Sequence, residues 1–142
     1  MAADTLHIEI EQVKESRLQS VDFDNLVFGK NISDHMFIAD YKDGQWQDLR
    51  VVPYGDLSLS PATAALHYGQ AIFEGMKAYK NEANEVLLFR AADNWARFNK
   101  SAERLCMPEI PQEVFMGGLL ELLKVDSSWV PTKEGYSLYI RP

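Results

Sequence analysis

Apolar and polar positions along the chain follow two different periods, one typical of strands and one typical of helices. Residues 35–41, His-Met-Phe-Ile-Ala-Asp-Tyr, read as a strand, and residues 46–54 carry Trp46, Leu49, Val51 and Val52 in a looser alternation. Between them stands Lys42-Asp43-Gly44-Gln45. Asp-Gly is a strong two-residue hairpin signal because glycine takes positive φ without steric cost. Pro53 and Pro61 bracket a loop rich in serine and leucine. A second hairpin is predicted between residues 73–79 and 86–90, joined by the polar run 80–85 with its turn-tolerant Asn81 and Asn84.

The period then changes. Trp95, Phe98, Ala102 and Leu105 fall at i, i+3, i+7 and i+10, which predicts a helix capped by Asp93 and stopped by Pro108. Pro111 opens a second helix, where a proline at the first position is harmless, with Phe115, Leu119, Leu122 and Leu123 facing inward. After Gly135, residues 136–141 alternate as a closing strand. The pattern predicts an α+β fold over residues 35–142, a mainly antiparallel sheet with helices packed on one face. Residues 1–34 are polar and weakly periodic, apart from Leu26, Val27 and Phe28, and form a lead segment that docks on a neighbouring element or stays partly loose. A strand running straight into the last residue, Pro142, leads to the expectation that the chain is truncated.

Composition narrows the function classes. The net charge of −7, from 14 basic against 21 acidic residues, argues against a nucleic-acid partner, which requires clustered lysine and arginine. No run approaches the roughly 20 apolar residues of a membrane span, and residues 1–11 resemble neither a signal nor a transit peptide. The single cysteine, Cys106, excludes an internal disulfide and fits a cytoplasmic setting; it is expected as a small buried thiol. His7, His35 and His67 are far apart, so no metal site is expected.

Arginines and aromatics concentrate near predicted strand ends. Arg90 follows the apolar run Val86-Leu87-Leu88-Phe89 and stands just before a helix start, where a guanidinium beside free N–H groups suits a phosphate. Arg141 ends another apolar strand beside Tyr139, where its fork suits a carboxylate. Gly75 inside a strand marks a bulge or a close approach. Each signal has a plainer reading. Strand-end arginines are usually solvated or salt-bridged, Tyr68, Phe73 and Tyr139 are core or half-buried packing by default, and Lys77 is a solvent-face lysine.

Taken together and in order, five segments are specific: residues 37–41 (Phe-Ile-Ala-Asp-Tyr), 57–61 (Leu-Ser-Leu-Ser-Pro), 67–79 (His-Tyr-Gly-Gln-Ala-Ile-Phe-Glu-Gly-Met-Lys-Ala-Tyr), 88–90 (Leu-Phe-Arg) and 138–142 (Leu-Tyr-Ile-Arg-Pro). The chain resembles the N-terminal, small-domain part of the branched-chain amino-acid aminotransferases of the fold-type IV pyridoxal 5'-phosphate (PLP) enzymes. The resemblance runs from about Phe28 to the last residue.

The resemblance implies that Arg90 holds the PLP phosphate and that Tyr68 and Phe73 line the pocket for a branched side chain, with Gly75 leaving room for substrate. It implies that Tyr139 and Arg141 form the pair associated with the side-chain carboxylate of glutamate or 2-oxoglutarate. It further implies a homodimer whose active site borrows lining from the second subunit. The lysine that carries the cofactor lies C-terminal to the matched segment in this family, so the 142-residue chain is expected to be inactive alone. D-amino-acid aminotransferase and aminodeoxychorismate lyase are the nearest alternatives in the same fold. A non-catalytic binding or assembly module is the alternative from another class.

Overall fold

The fold is described from a computed structural model, whose described residues are 6–142; the first five residues of the lead segment lie outside them. The lead segment docks. Its strand β1 (Glu9–Ile10) pairs parallel with β3 (Gln45–Pro53), which pairs antiparallel with β2 (His35–Lys42), in the order β1-β3-β2. Asp43 and Gly44 close the β2–β3 hairpin with φ of 52° and 81°, the two positive values that a twist-compatible two-residue turn requires.

A second sheet, in the order β5-β4-β6, is antiparallel throughout: β4 (Met76–Lys80) is flanked by β5 (Val86–Leu88) and by β6 (Leu138–Ile140). The chain is thus α+β as its pattern predicts, with the strands divided between two three-stranded sheets rather than one. The predicted strand at 73–79 begins only at Met76. The Glu74 carboxylate accepts the amide of Gly75 at 2.7 Å, so a side chain takes the donor that a ladder would use. Upstream, the short helix α1 (Ala64–Tyr68) ends at Gly69 in the left-handed conformation.

Helix α2 spans Ala91–Arg104 and starts earlier than an Asp93 cap predicts. Arg90 is its N-cap in the left-handed conformation, and Asp93 in the first turn pairs with the Arg90 guanidinium instead of capping. The helix ends before Pro108, because Cys106 at φ 53° turns the chain. That turn leaves Leu105 and Cys106 exposed, correcting the expectation of an inward Leu105 and a buried thiol. Helix α3 (Gln112–Val125) follows Pro111 and buries Val114, Phe115, Leu119 and Leu123 against Met76 and Ala78 of β4, together with Ala91, Ile110 and Val130. Trp95 and Phe98 of α2 and Phe37 of β2 pack around this core. Buried Asn99 both donates to Ile110 O (2.9 Å) and accepts from Ile110 N (3.0 Å), tying α2 to the loop that leads into α3.

Two consecutive residues at the start of β2 fasten remote parts of the chain. Asp34 accepts from Ser16 Oγ at 2.5 Å, Arg17 N at 3.0 Å and Trp129 Nε1 at 2.9 Å. His35 Nε2 accepts the Val13 amide at 3.0 Å, and its Nδ1 lies 2.7 Å from Asp126 Oδ1. An amide can only donate, so the proton of the neutral ring sits on Nδ1 and is given to Asp126.

Candidate active site

Three of the residues singled out by the sequence, Gly75, Tyr139 and Arg141, stand along one face of the second sheet. Along β4, Met76 and Ala78 point into the core while Lys77 and Tyr79 are exposed. Cross-strand partners share a face, and Lys77 stands opposite Tyr139. Gly75, two residues before Lys77, and Arg141, two after Tyr139, continue that outer row. Lys77 therefore occupies the solvent face, as its alternation predicts.

Gly75 and Tyr139 are in direct contact. A Cβ at Gly75 would overlap the Tyr139 hydroxyl and come within 3.0 Å of ring carbon Cζ. The bareness of Gly75 accommodates this phenol, so the space above the glycine is filled by Tyr139. The ring is gripped from two further sides: Phe28 of the lead segment packs edge-on with centroids 5.2 Å apart, and the Arg141 guanidinium lies 5.8 Å from the ring centroid. Phe28 matches one of the three apolar spots in an otherwise polar lead segment.

Arg90 is joined to this face through α2. Its carbonyl accepts the Asp93 and Asn94 amides at 2.9 and 3.3 Å, and Asn94 Nδ2 donates to Gly75 O at 3.3 Å. One turn on, Arg97 meets the buried Glu74 carboxylate with both prongs, Nε at 2.6 Å and Nη2 at 2.5 Å. The Arg97 hydrogen bond, partly opposed by burial, holds the Glu74 carboxyl below its ordinary range. Gln70 Nε2 donates to Leu105 O at 2.7 Å at the far end of the same helix, so residues 70–75 run along α2. Asn94 and Arg97 escape a reading of hydrophobic period because they are polar. Their only sequence signal is the i, i+3 spacing, which puts both on one side of the helix.

Arg90 satisfies the chemical demands of a phosphate. Its side chain is 69% exposed, with its Nε engaged by Asp93, and it stands at the start of a 14-residue helix where the Ala91 and Ala92 amides lack intrahelical partners while those of Asp93 and Asn94 are taken by Arg90 O. The donor set fits the phosphate of PLP, with Asp93 as a competing carboxylate that a dianion would have to displace.

Tyr68 and Phe73 are not brought into this cluster. They are 85% and 74% exposed, and Tyr68 has a tilted ring neighbour only in the adjacent His67 among the described residues. A cleft of about 500 Å³ lies elsewhere, between Tyr41, Trp46, Glu109 and Glu113, and contains none of the predicted site residues. Among the described residues, no helix is long and apolar enough to cross a membrane.

No family model matches the chain. Among curated proteins, it is 45% identical over 143 aligned residues to branched-chain-amino-acid aminotransferase 2 of Bacillus subtilis, an alignment covering 100% of this chain and 39% of that protein. It is 48% identical over 130 residues to a probable branched-chain-amino-acid aminotransferase of Staphylococcus epidermidis, covering 91% of this chain and 36% of the relative. A branched-chain-amino-acid aminotransferase of Mycolicibacterium smegmatis is 48% identical over 117 residues, 81% of this chain and 32% of its own length. The chain thus spans less than two fifths of the length of these relatives. Along 81–100% of its own length, across both hairpins, α2 and the second sheet, the chain is thus similar to proteins named as branched-chain-amino-acid aminotransferases.

Proposed function

We propose that this chain is the N-terminal, small-domain part of a PLP-dependent transaminase that moves amino groups between leucine, isoleucine or valine and 2-oxoglutarate. The observation that carries the reading is the row Gly75–Tyr139–Arg141 on the outer sheet face, linked through Asn94 to the helix that Arg90 caps. Residues 1–34 act as a lead strap over residues 35–142, the small domain.

Arg90 and the unpaired Ala91 and Ala92 amides at the start of α2 hold the PLP phosphate. When bound, PLP supplies the electron sink for bond changes at the substrate α-carbon. This chain's own residues bind and orient. Arg141, backed by Tyr139, grips the side-chain carboxylate of glutamate or 2-oxoglutarate through its planar fork. Tyr68 and Phe73 offer apolar walls to a branched side chain, and Gly75 leaves the room in which the Tyr139 ring sits. The exposure of Tyr68, Phe73, Leu87 and Phe89 fits a surface completed by a second copy and by further chain. None of the chain's lysines stands in the sequence context of the family's cofactor-holding lysine, and the 142-residue chain alone does not transaminate.

The test measures glutamate formed from each branched-chain amino acid and 2-oxoglutarate in the presence of PLP. A longer gene product containing this chain is expected to turn over and to lose most of that turnover in Arg90→Ala. The 142-residue chain alone is expected to give none, and no single labelled lysine after borohydride reduction with PLP. Turnover by the chain alone, with Lys77 labelled, sinks the division of labour proposed here. Turnover by the longer product of D-alanine or aminodeoxychorismate in place of leucine sinks the substrate assignment.

A further inference from the structure

The His35 ring, with 5% of the residue exposed, closes the seam between the lead segment and the first sheet. Its two nitrogens face partners of opposite kind: Nε2 takes the Val13 amide at 3.0 Å, and Nδ1 gives its proton to Asp126 Oδ1 at 2.7 Å. Asp126, at the end of α3, also takes the His35 amide on Oδ2 at 2.9 Å. The neighbouring carboxylate, Asp34, is held by Ser16, Arg17 and Trp129. Across the ladder His35 meets Pro53, which carries no charge, and Lys14 and Glu15 beside Val13 are exposed. The titratable partner that faces the ring is therefore Asp126.

The two contacts answer a proton in opposite ways. A second ring proton, at Nε2, gives the pair with Asp126 full charge and strengthens it. The same proton sets an N–H against the Val13 N–H, and neither group can accept. With the ring neutral, releasing Val13 alone strands Nε2, so the amide leaves only with the whole Asp34–His35 knot. We propose that His35 is a proton-operated latch: the neutral ring holds residues 6–13 on the sheet, and the charged ring stays on Asp126 and lets them go. Those residues have little else to keep them. They contribute the two-residue β1, the bond from Glu11 N to Val51 O at 2.9 Å, and Leu6, which packs on the core over Gly117. Ser16 and Arg17 stay on Asp34, so the release stops there. It uncovers the outer edge of β3 and removes Leu6 from the cleft lined by Tyr41, Trp46, Glu109 and Glu113. The latch is independent of which ligands the chain helps to bind.

The test is NMR of the 142-residue chain from about pH 7.5 to about pH 5, where histidines change charge and Asp34, held at about 2, does not. Ring 15N signals, assigned with His35→Gln, report the Nε2 proton, and hydrogen exchange reports the amides. One proton is taken up per release, so the Val13 and Glu11 protection factors are expected to fall by up to about tenfold per pH unit. The Arg17 amide and the Trp129 indole N–H, which bond Asp34, are expected to keep theirs. The ring is expected to charge only as Val13 loses its protection. In His35→Gln the side-chain carbonyl accepts the Val13 amide but takes no proton, so the fall is expected to vanish. If that variant does not fold, the wild-type chain decides alone. A ring that charges while Val13 stays protected overturns the latch. So does Val13 protection that holds down to about pH 5, or that falls in step with Arg17 and Trp129. An undiminished fall in His35→Gln overturns it as well.

Discussion

The ring of Phe37 lies on the bare backbone of Gly118: a Cβ there would overlap three carbons of the ring. At the preceding residue, Gly117, a Cβ would meet the ends of two side chains, Leu6 at 2.6 Å and Ile8 at an ordinary 3.6 Å. Both glycines are inside α3, where alanine is favoured by about 1 kcal/mol on propensity alone. At Gly117 the flexible leucine yields, so Gly117→Ala is expected to be neutral or to stabilise by up to that amount. At Gly118 a packed aromatic must move, and overpacking of about 1–3 kcal/mol wins. Urea unfolding of the two variants checks the contrast, and changes of the same sign would sink it.

Acid is expected to lower the stability of the fold through Asp34. Burial pushes the Asp34 carboxyl up, but hydrogen bonds from Ser16, the Arg17 amide and Trp129 more than offset this and hold it at about 2 instead of 3.8. A depressed carboxyl contributes stability that is whole above its unfolded value and is lost as pH falls through its folded one. The loss therefore runs from about pH 4 down to about pH 2. Asp34→Asn is expected to cost about 1–3 kcal/mol at neutral pH and to flatten this part of the curve. Urea midpoints measured at several pH values decide it; a variant curve parallel to the wild type refutes the assignment.

Arg90 occupies the left-handed region at φ 53°, a conformation of order 1 kcal/mol in cost for a residue with a Cβ. Its pairing with Asp93 is exposed and adds little. Arg90→Gly is therefore expected to be at least as stable as the wild type while losing the anion grip. Inorganic phosphate should raise the thermal midpoint of the wild-type chain and leave that of the variant unchanged. Equal protection of both places the phosphate elsewhere.

Asn99→Ala removes both hydrogen bonds to Ile110 and strands a buried amide. A loss of about 1–3 kcal/mol in chemical denaturation is expected. A change below about 0.5 kcal/mol means that solvent reaches the Ile110 amide, against the burial of Ile110.

Where local chemistry decides, the sequence can be read directly. The Asp43-Gly44 turn, the inner face of α3 and the outward Lys77 follow from φ preference or period alone. Where a distant partner competes, the pattern misleads. Asp93 looks like a cap, but Arg90 takes its carboxylate and the helix begins at Ala91. Residues 73–75 look like a strand, but Glu74 turns to an arginine 23 residues away. Leu105 fits the helical period, yet the backbone has already left the helix. The candidate site divides in the same way. Gly75, Tyr139 and Arg141 are adjacent because alternation on paired strands puts them on one face. Tyr68 and Phe73 lie in irregular chain, where no period says what they face.

The fastening at Asp34 and His35 has a kinetic side. These neighbours bind residues 17 to 22 positions upstream and others 91 to 95 positions downstream, so the early and late parts of the chain share one knot. Freeing either part strands acceptors that the other still surrounds, and partial opening has no stable resting point. The Val13 amide and the Trp129 indole N–H are thereby committed to a single opening event, and in hydrogen exchange they should trade their protons for deuterium at the same free energy.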